Sequence, residues 1–264
     1  MFLLLAFGYL MFALLVMLFQ RRLIYIPTRL VLEQAKILAA REGFEPWRNR
    51  SGEIIGWRMP ASSTSTGSVL IAHGNAGCAL HRGYLATPIH AAAHVGVYVL
   101  EYPGYGAREG APGQDQILAA ADEAIELLAE RGPIYVVGES IGVGIATHLA
   151  QKHDERIGGL MLLAPYNNLI SVAQRQMPFL PTAWLLWDRF DPASDLLKYQ
   201  GPVGFVLAGA DTVIPHDLGR ELHNGYAGPK TLQIIPEAGH NDVAAQSPEW
   251  WKSVFNFWLE HRPK

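Results

Sequence analysis

The chain has 264 residues, half of them hydrophobic, which suits one large α/β domain better than two small ones. Its net charge of -3 and its lack of a basic run interleaved with aromatics argue against nucleic acid as a partner. The single cysteine, Cys78, excludes an internal disulfide and a cysteine-rich metal cluster, and we interpret it as a structural thiol.

An apolar segment opens the chain. Phe2 to Phe19 carries no charge, and at about 1.5 Å per residue a helix of this length spans about 27 Å, close to the hydrocarbon thickness of a bilayer. A cleaved signal peptide would need a positive segment before this run and a small-residue cleavage site after it, and the sequence has neither. We therefore predict a transmembrane anchor over residues 1–22 and one domain over residues 23–264.

The charges next to the apolar segment predict its orientation. Arg21 and Arg22 follow the run directly, and Arg29 lies close behind. Because positively charged residues flanking a membrane span tend to stay in the cytoplasm, we expect the domain on the cytoplasmic side.

The first elements after the anchor are short. Val31 to Ala40 has the spacing of an amphipathic helix, and Glu53 to Met59 resembles a strand. Ala61 to Ser68 is rich in Ser and Thr and predicts an exposed loop. Val69 to Ala72 is a short apolar run typical of a buried strand.

The residues after that strand read His73-Gly74-Asn75-Ala76-Gly77. A strand that runs into this sequence has the form of an oxyanion-hole loop, since glycine lets the backbone turn an amide toward a nucleophile. We predict the N–H of Asn75 as one donor. A plain turn between strand and helix is the alternative, and we interpret His73 as a structural, hydrogen-bonding histidine.

The middle of the chain alternates between strand and helix patterns. Val95 to Glu101 resembles a buried strand, and Tyr102 to Gly106 is rich in turn residues. Gln114 to Ala129 is an amphipathic helix stopped by Gly and Pro, and Ile157 to Leu163 is another buried strand. This alternation predicts parallel strands joined by crossover helices.

One stretch within that alternation predicts chemistry. The apolar run that begins at Ile134 ends in Gly138-Glu139-Ser140-Ile141-Gly142 and passes directly into a helical pattern. A strand, a sharp turn at Gly-x-Ser-x-Gly and a helix form a nucleophile elbow, in which the glycines leave room for the strained serine. Ser140 is therefore the candidate nucleophile and the N–H of Ile141 the second oxyanion donor. An ordinary serine in a strand-to-helix turn is the alternative.

The alternation pauses after Pro165. About thirty-five residues without a sheet strand is long for a connection inside a compact domain. We predict a small helical lid over about residues 166–200, whose apolar and aromatic side chains could line a pocket for an acyl chain or lie against the membrane. An insertion packed only for stability is the alternative.

The last two strands carry the remaining candidates. Pro202 to Ala208 ends in a loop with Asp211, and Thr231 to Ile235 ends in a loop with His240. Both loops leave the same sheet edge as the elbow, where ligands bind in open parallel sheets. His240 would then act as the base for Ser140, and Asp211 would orient its imidazole.

Other residues compete for these two roles. His216 and His223 are rival bases in a predicted helix after Asp211. Asp195, Asp217 and Asp242 are rival acids, and the last of these more plausibly caps the final helix or organises the loop of His240. The aromatic side chains of that final helix, Trp250, Trp251, Phe255 and Trp258, fit packing better than substrate contact.

Together these motifs resemble an α/β-hydrolase, and more narrowly the Bem46-like group of membrane-anchored serine hydrolases. The resemblance spans about residues 50–260 and rests on the loop at Asn75, the segment Glu101 to Gly106, the elbow at Ser140, Asp211, and Gly239-His240-Asn241-Asp242. It implies a mostly parallel sheet with helices on both faces. It also implies, for some members, action on acyl thioesters of proteins or on lipids.

These residues favour a membrane-tethered serine hydrolase that cleaves carboxylic esters or acyl thioesters through an acyl-enzyme on Ser140. An aminopeptidase-like amidase is an alternative enzyme, and a catalytically silent membrane scaffold is an alternative of another class. Dehalogenase and epoxide chemistry is disfavoured, because α/β-hydrolases of those kinds use Asp at the elbow. The sequence predicts no metal site and no cofactor.

Overall fold

The structure is a computed structural model that describes residues 1–61, 67–129 and 132–262. Most of the loop predicted over Ala61 to Ser68 lies outside the described residues. Its α-helices are α1 (Phe2–Ile24), α2 (Leu32–Arg41), α3 (Gly83–Ala92), α4 (Gln114–Leu128), α5 (Gly142–Lys152), α6 (Leu169–Gln176), α7 (Thr182–Leu185), α8 (Pro192–Leu196), α9 (His216–Gly225) and α10 (Pro248–His261). Its strands are β1 (Ile26–Pro27), β2 (Glu45–Arg48), β3 (Ile54–Met59), β4 (Ser68–Ala72), β5 (Ala76–Gly77), β6 (Gly96–Leu100), β7 (Ile134–Glu139), β8 (Ile157–Leu163), β9 (Val203–Ala208) and β10 (Lys230–Ile235).

Eight of the described strands form one sheet in the order β10-β9-β8-β7-β4-β6-β3-β2. The six strands from β10 to β6 pair in parallel, and β3 and β2 add an antiparallel edge. β7, which leads to Ser140, lies in the middle of the sheet between β4 and β8. Because parallel strands share one direction, the loops that follow β4, β7, β9 and β10 all leave the same edge.

Helices cover both faces of this sheet and bury two hydrophobic cores. Leu70 points into the core formed with α4 and α5, whereas Val69 and Ile71 of the same strand point into the core formed with α3 and α10. Strands buried on both faces explain the nearly continuous apolar runs in the sequence. The predicted mostly parallel sheet with helices on both faces is confirmed.

α1 is long and apolar enough to cross a membrane. Most of its side chains are exposed, but Ala13 and Gln20, seven residues apart, are buried. Residues seven apart lie on the same face of a helix. One narrow stripe of α1 therefore packs against the rest of the protein, and the other faces remain free.

Three short helices, α6, α7 and α8, occupy the connection between β8 and β9 where the lid is predicted. At the other end of the chain, α10 packs on the sheet through Trp251, Phe255 and Trp258, which are all buried. The indole N–H of Trp258 donates to the carbonyl oxygen of Leu160 in β8 at 3.1 Å. The helix is thus part of the core.

Candidate active site

Ser140 lies on the sharp turn between β7 and α5. Its φ of 54° is in the left-handed region, which a residue with a side chain rarely adopts. A Cβ atom added to Gly138 would stand 2.7 Å from the carbonyl oxygen of Gly142, and one added to Gly142 would stand 2.0 Å from the carbonyl oxygen of Ala72. The two flanking glycines are therefore required by the close packing of the turn.

His240 and Asp211 meet Ser140 at this edge. Nε2 of His240 is 3.0 Å from Oγ of Ser140, and Nδ1 of His240 is 2.7 Å from Oδ2 of Asp211. The other carboxylate oxygen of Asp211 accepts the backbone N–H groups of Val213 and Ile214, both at 2.8 Å. The loop after β9 thus holds the carboxylate with one oxygen toward the imidazole.

The rival histidines both lie in α9. His216 is the first residue of α9, and the ring of His223 packs edge-on against Phe205, 5.2 Å between centroids. Among the described residues, His240 is the histidine that forms a hydrogen bond with Ser140. The three residues predicted as nucleophile, acid and base are brought together.

The rival carboxylates also have other partners. Asp195 accepts a hydrogen bond from Thr147 at 3.1 Å, and Asp217 pairs with Arg175 at 2.5 Å. Asp242 accepts the backbone N–H of Gly239 at 2.8 Å and so organises the loop that carries His240. The cap of the final helix is Ser247, so the capping role considered for Asp242 is wrong.

Asn75 and Ile141, the predicted oxyanion donors, line one cavity together with Ser140. The side chain of Asn75 is fixed, because its Oδ1 accepts the N–H of Ile26 at 3.1 Å and the hydroxyl of Tyr105 at 3.2 Å. Ile141 is the residue before the first turn of α5. The free N–H groups and partial positive charge of a helix N-terminus therefore lie beside Ser140.

A buried ion pair ties the Asn75 loop to the elbow. Oε2 of Glu139, the residue before Ser140, accepts the backbone N–H of Gly74 at 2.8 Å and stands 2.9 Å from Nε of Arg82. Arg82 in turn donates to the carbonyl oxygen of Ala76 at 2.6 Å. This pair was not predicted from the sequence. The available signal was an acidic residue at the end of an otherwise apolar strand.

A second polar group is buried behind the same loop. The ring of His73 stacks on Tyr102 with 4.0 Å between centroids, and burial holds its pKa well below the ordinary value, so it is neutral.

Burial raises the pKa of the Glu101 carboxyl to about 7 and that of the Cys78 thiol to about 11. A thiol with a raised pKa is a poor nucleophile at neutral pH.

The cavity at Ser140 has a volume of about 230 Å³. Asn75, Ser140 and Ile141 line part of it, and the segments that carry them, residues 73–77 and 139–141, are here called the serine wall. Five residues from the last turns of α1 line another part and are here called the anchor wall: Val16, Met17, Gln20, Leu23 and Ile24. Apolar lid residues, among them Val172, Met177 and Leu180, also line the cavity. The contribution of α1 is not predicted from the sequence.

Known proteins of similar sequence indicate the family of this chain. The sequence profile of the α/β-hydrolase fold matches residues 67–185. An uncharacterized protein of Mycobacterium tuberculosis is 31% identical over 230 residues, covering 84% of this chain and 81% of its own. The protein bem46 of Schizosaccharomyces pombe is 27% identical over 194 residues, covering 69% and 64% respectively.

A further relative has a name that states an activity, and one solved structure resembles this chain in fold. The lysophosphatidylserine lipase ABHD12 of Xenopus tropicalis is 28% identical over 212 residues and covers 71% of this chain. The match covers 54% of the frog protein, so the chain spans about half of that relative's length. Est1E of Butyrivibrio proteoclasticus, solved with ferulic acid bound, superposes with a TM-score of 0.64 at 16% identity over 78% of this chain and 95% of its own. At that identity the likeness concerns the fold.

Proposed function

The chain belongs to the α/β-hydrolase family, and on that premise we propose that it is a membrane-anchored serine hydrolase that cleaves carboxylic esters or acyl thioesters. One observation carries the proposal. The hydroxyl of Ser140, on a strained turn, is 3.0 Å from an imidazole whose other nitrogen is 2.7 Å from a buried carboxylate. This arrangement is the one that activates a serine for attack on a carbonyl.

The reaction would proceed in two steps. Oγ of Ser140 bonds to the carbonyl carbon while its proton passes to Nε2 of His240, and Asp211 stabilises the imidazolium that forms. The bond to the leaving alcohol or thiol then breaks, and the leaving group takes the proton from His240. Water attacks the resulting acyl-enzyme with His240 again as base, which releases the carboxylic acid and restores Ser140.

The oxyanion that forms in each step would be stabilised by backbone amides. The N–H groups of Asn75 and Ile141 are the proposed donors, and both residues line the cavity with Ser140. Removing one such donor costs other hydrolases about 10²–10³ in kcat. Because these donors belong to the backbone, they cannot be deleted by a side-chain substitution, and the loop that carries Asn75 becomes the place to test them.

The substrate class follows from the apolar cavity and the apolar helix. An acyl chain fits a cavity lined by aliphatic side chains, and a helix long enough to span a bilayer would hold the site at a source of lipids. The frog relative is named a lysophosphatidylserine lipase, which supports a lipid-borne ester. By the arginines that follow the apolar run, we place the domain on the cytoplasmic side.

The test is labelling of the membrane fraction with a fluorophosphonate probe, together with turnover of an acetyl ester. The natural chain should be labelled and active, whereas Ser140→Ala should lose both signals. Ser171→Ala, which changes a serine in the lid helix α6, is the matched control and should retain both. Retained turnover in the Ser140 variant would overturn the proposal, and turnover of peptide amides in preference to esters would redirect it to an amidase.

A further inference from the structure

We propose that the anchor wall is the part of the active site that receives the acyl chain of the substrate, so that α1 selects which acyl groups are cleaved. The inference rests on the proposed function, since it assumes that an acyl ester is held at Ser140. It goes further in giving the membrane helix a second role. α1 would tether the enzyme and also form one side of its substrate site.

The placement of five α1 side chains carries the inference. Val16, Met17, Gln20, Leu23 and Ile24 all line the cavity that contains Ser140. Their spacing of one, three or four residues puts them on a single face along the last turns of the helix. Four of the five are aliphatic or thioether side chains, which favour contact with a hydrocarbon chain. The helix therefore presents an apolar strip to the cavity, interrupted only at Gln20.

The size of the cavity limits what can occupy it. Its volume of about 230 Å³ is below the roughly 300 Å³ at which pockets for drug-sized ligands begin. A single slender acyl chain fits this space better than the two chains of a diacyl lipid. We therefore commit to a substrate with one acyl chain at the site, lying between α1 and the lid.

Polar contacts fix α1 against the lid. Gln20 is 4% exposed despite its place in an apolar helix. Its side-chain amide donates to the carbonyl oxygen of Leu185 at 3.0 Å and accepts the N–H of Trp187 at 2.7 Å. One residue further on, Arg21 pairs with the buried carboxylate of Asp188 at 2.9 Å. These contacts join the end of α1 to Leu185, Trp187 and Asp188 of the lid, so the anchor wall is packed firmly against the domain.

The chain beyond α1 is also joined to the serine wall. β1, which follows α1 directly, pairs in parallel with β5, so that Ile26 is opposite Ala76 in the Asn75 loop. The N–H of Ile26 donates to the side chain of Asn75 at 3.1 Å. The same segment therefore contacts the acyl cavity through α1 and the proposed oxyanion loop through β1.

The remaining faces of α1 are positioned for contact with lipid. Leu18 is 53% exposed although it is adjacent to the cavity-lining Met17. Trp184 of the lid is 86% exposed. Tryptophan is typical of membrane interfaces. In the proposed arrangement an acyl chain leaves the bilayer and reaches Ser140 along the surface of α1.

The experiment measures kcat/KM for nitrophenyl esters from acetyl to palmitoyl, with the full-length chain reconstituted in phosphatidylcholine vesicles. Met17→Trp fills the cavity beside α1. We expect the palmitoyl-to-acetyl ratio of kcat/KM to fall by about tenfold or more, because a pocket that loses room for even one methylene discriminates by that amount. Leu18→Trp adds the same side chain on an exposed face and should leave the ratio unchanged.

A second variant covers the case in which tryptophan prevents folding. Met17→Ala enlarges the cavity and should raise the same ratio relative to Leu18→Ala. An unchanged ratio in a folded, fluorophosphonate-labelled Met17 variant would overturn the inference, as would equal changes in the Met17 and Leu18 variants. Failure of the proposed function has a different signature, since acetyl-ester turnover would then persist in Ser140→Ala whatever residue occupies position 17.

Discussion

The two walls of the cavity are held in place by different kinds of contact. On the serine wall the backbone dominates: Ser140 has a φ of 54°, and neighbouring main-chain atoms leave no room for a Cβ atom at the two flanking glycines. The anchor wall is held by side chains, above all by Gln20 and by the adjacent pair of Arg21 with Asp188. The difference indicates that the backbone holds the reacting groups in one geometry. Selection of the acyl group depends instead on individual side chains, which can be exchanged without changing that geometry.

Next to each wall a carboxylate pairs with an arginine. Glu139 and Arg82 are both nearly buried, with side-chain exposures of 12% and 9%. In the pair beside the anchor wall, Asp188 is 3% exposed and Arg21 is 40% exposed. Loss of one partner is costly when the remaining charge is buried. Glu139 adjoins Ser140 whereas Asp188 belongs to the lid, so we expect the first pair to matter for catalysis and the second for the stability of the lid.

The largest effect should come from the serine wall. His240→Ala should lower kcat by about 10⁴-fold or more for every acyl chain length, because the base that takes the serine proton is lost. Steady-state kinetics with acetyl and palmitoyl esters measures this loss. His223→Ala, in the last turn of α9, is the control and should retain activity. A loss confined to one chain length would contradict the division between the two walls.

A smaller effect on kcat is expected from the ion pair of Glu139 and Arg82, which lies beneath the Asn75 loop. Glu139→Gln removes the charge that faces Arg82, so the loop should shift and misplace the proposed oxyanion donor. Because a displacement of about 1 Å can cost about 10²-fold in rate, we expect kcat to fall by about 10- to 100-fold with KM little changed. Glu126→Gln is the control, since Glu126 forms an exposed pair with Arg156 at 2.6 Å. Equal kcat values for the two variants would count against a positioning role for Glu139.

Glu101, which is buried behind the serine wall, should make the free energy of unfolding of the protein depend on pH. Burial raises the pKa of Glu101 from its ordinary 4.5 to about 7, and the backbone N–H of Ala79 donates to its Oε1 at 2.9 Å. The folded state then binds a proton more tightly than the unfolded state. Relative to Glu101→Gln, the natural chain should lose stability as pH rises from about 4.5 to about 7, by on the order of 3 kcal/mol.

Three charged or titratable neighbours surround Glu101. Arg82 and Arg108 lower its pKa, and the ring of His73, 3.9 Å away, is held neutral by burial. Thermal unfolding of both chains across this pH range measures the difference, which should level off above pH about 7. A constant difference between the two chains at all pH values would show that Glu101 does not titrate in this range.

The smallest effect concerns the anchor wall. Asp188→Asn should lower the free energy of unfolding by about 2 kcal/mol, since Asp188 accepts from Arg21 at 2.9 Å and from the hydroxyl of Tyr25 at 2.8 Å. Acetyl-ester turnover should persist while the preference for long acyl chains weakens. Asp217→Asn breaks an exposed pair with Arg175 and should change stability by less than about 1 kcal/mol. Denaturant unfolding of the three chains in detergent would refute the prediction if the two variants were equally destabilised.

Much of the fold and of the candidate site could be predicted because the signals are local. The strand, turn and helix around Ser140 occupy consecutive residues, and the two glycines there are needed by contacts within that turn. Asp211 and His240 each follow a buried strand, and parallel strands bring such loops to one edge. The fold prediction is confirmed, whereas the roles of the three residues remain proposals for the experiments above.

The pairs that link distant segments could not be predicted in this way. Glu139, at the end of β7, meets Arg82, which precedes α3, and Gln20 meets Trp187 across most of the chain. A polar residue after an apolar run indicates only the end of a membrane segment, and nothing near Gln20 in the sequence specifies the lid as its partner. The predicted boundary at residue 22 likewise divides two residues of the anchor wall from the other three.

The sequence by itself determined the alternation of strands and helices, and with it the edge at which Ser140, Asp211 and His240 meet. Hydrophobic periodicity and glycine spacing specify backbone geometry over a few residues, which is why these features could be read directly. Only the tertiary structure decided that the anchor helix closes the cavity. That outcome depends on how α1 packs against a lid more than 140 positions away along the chain, where side-chain contacts and not local propensity select the arrangement.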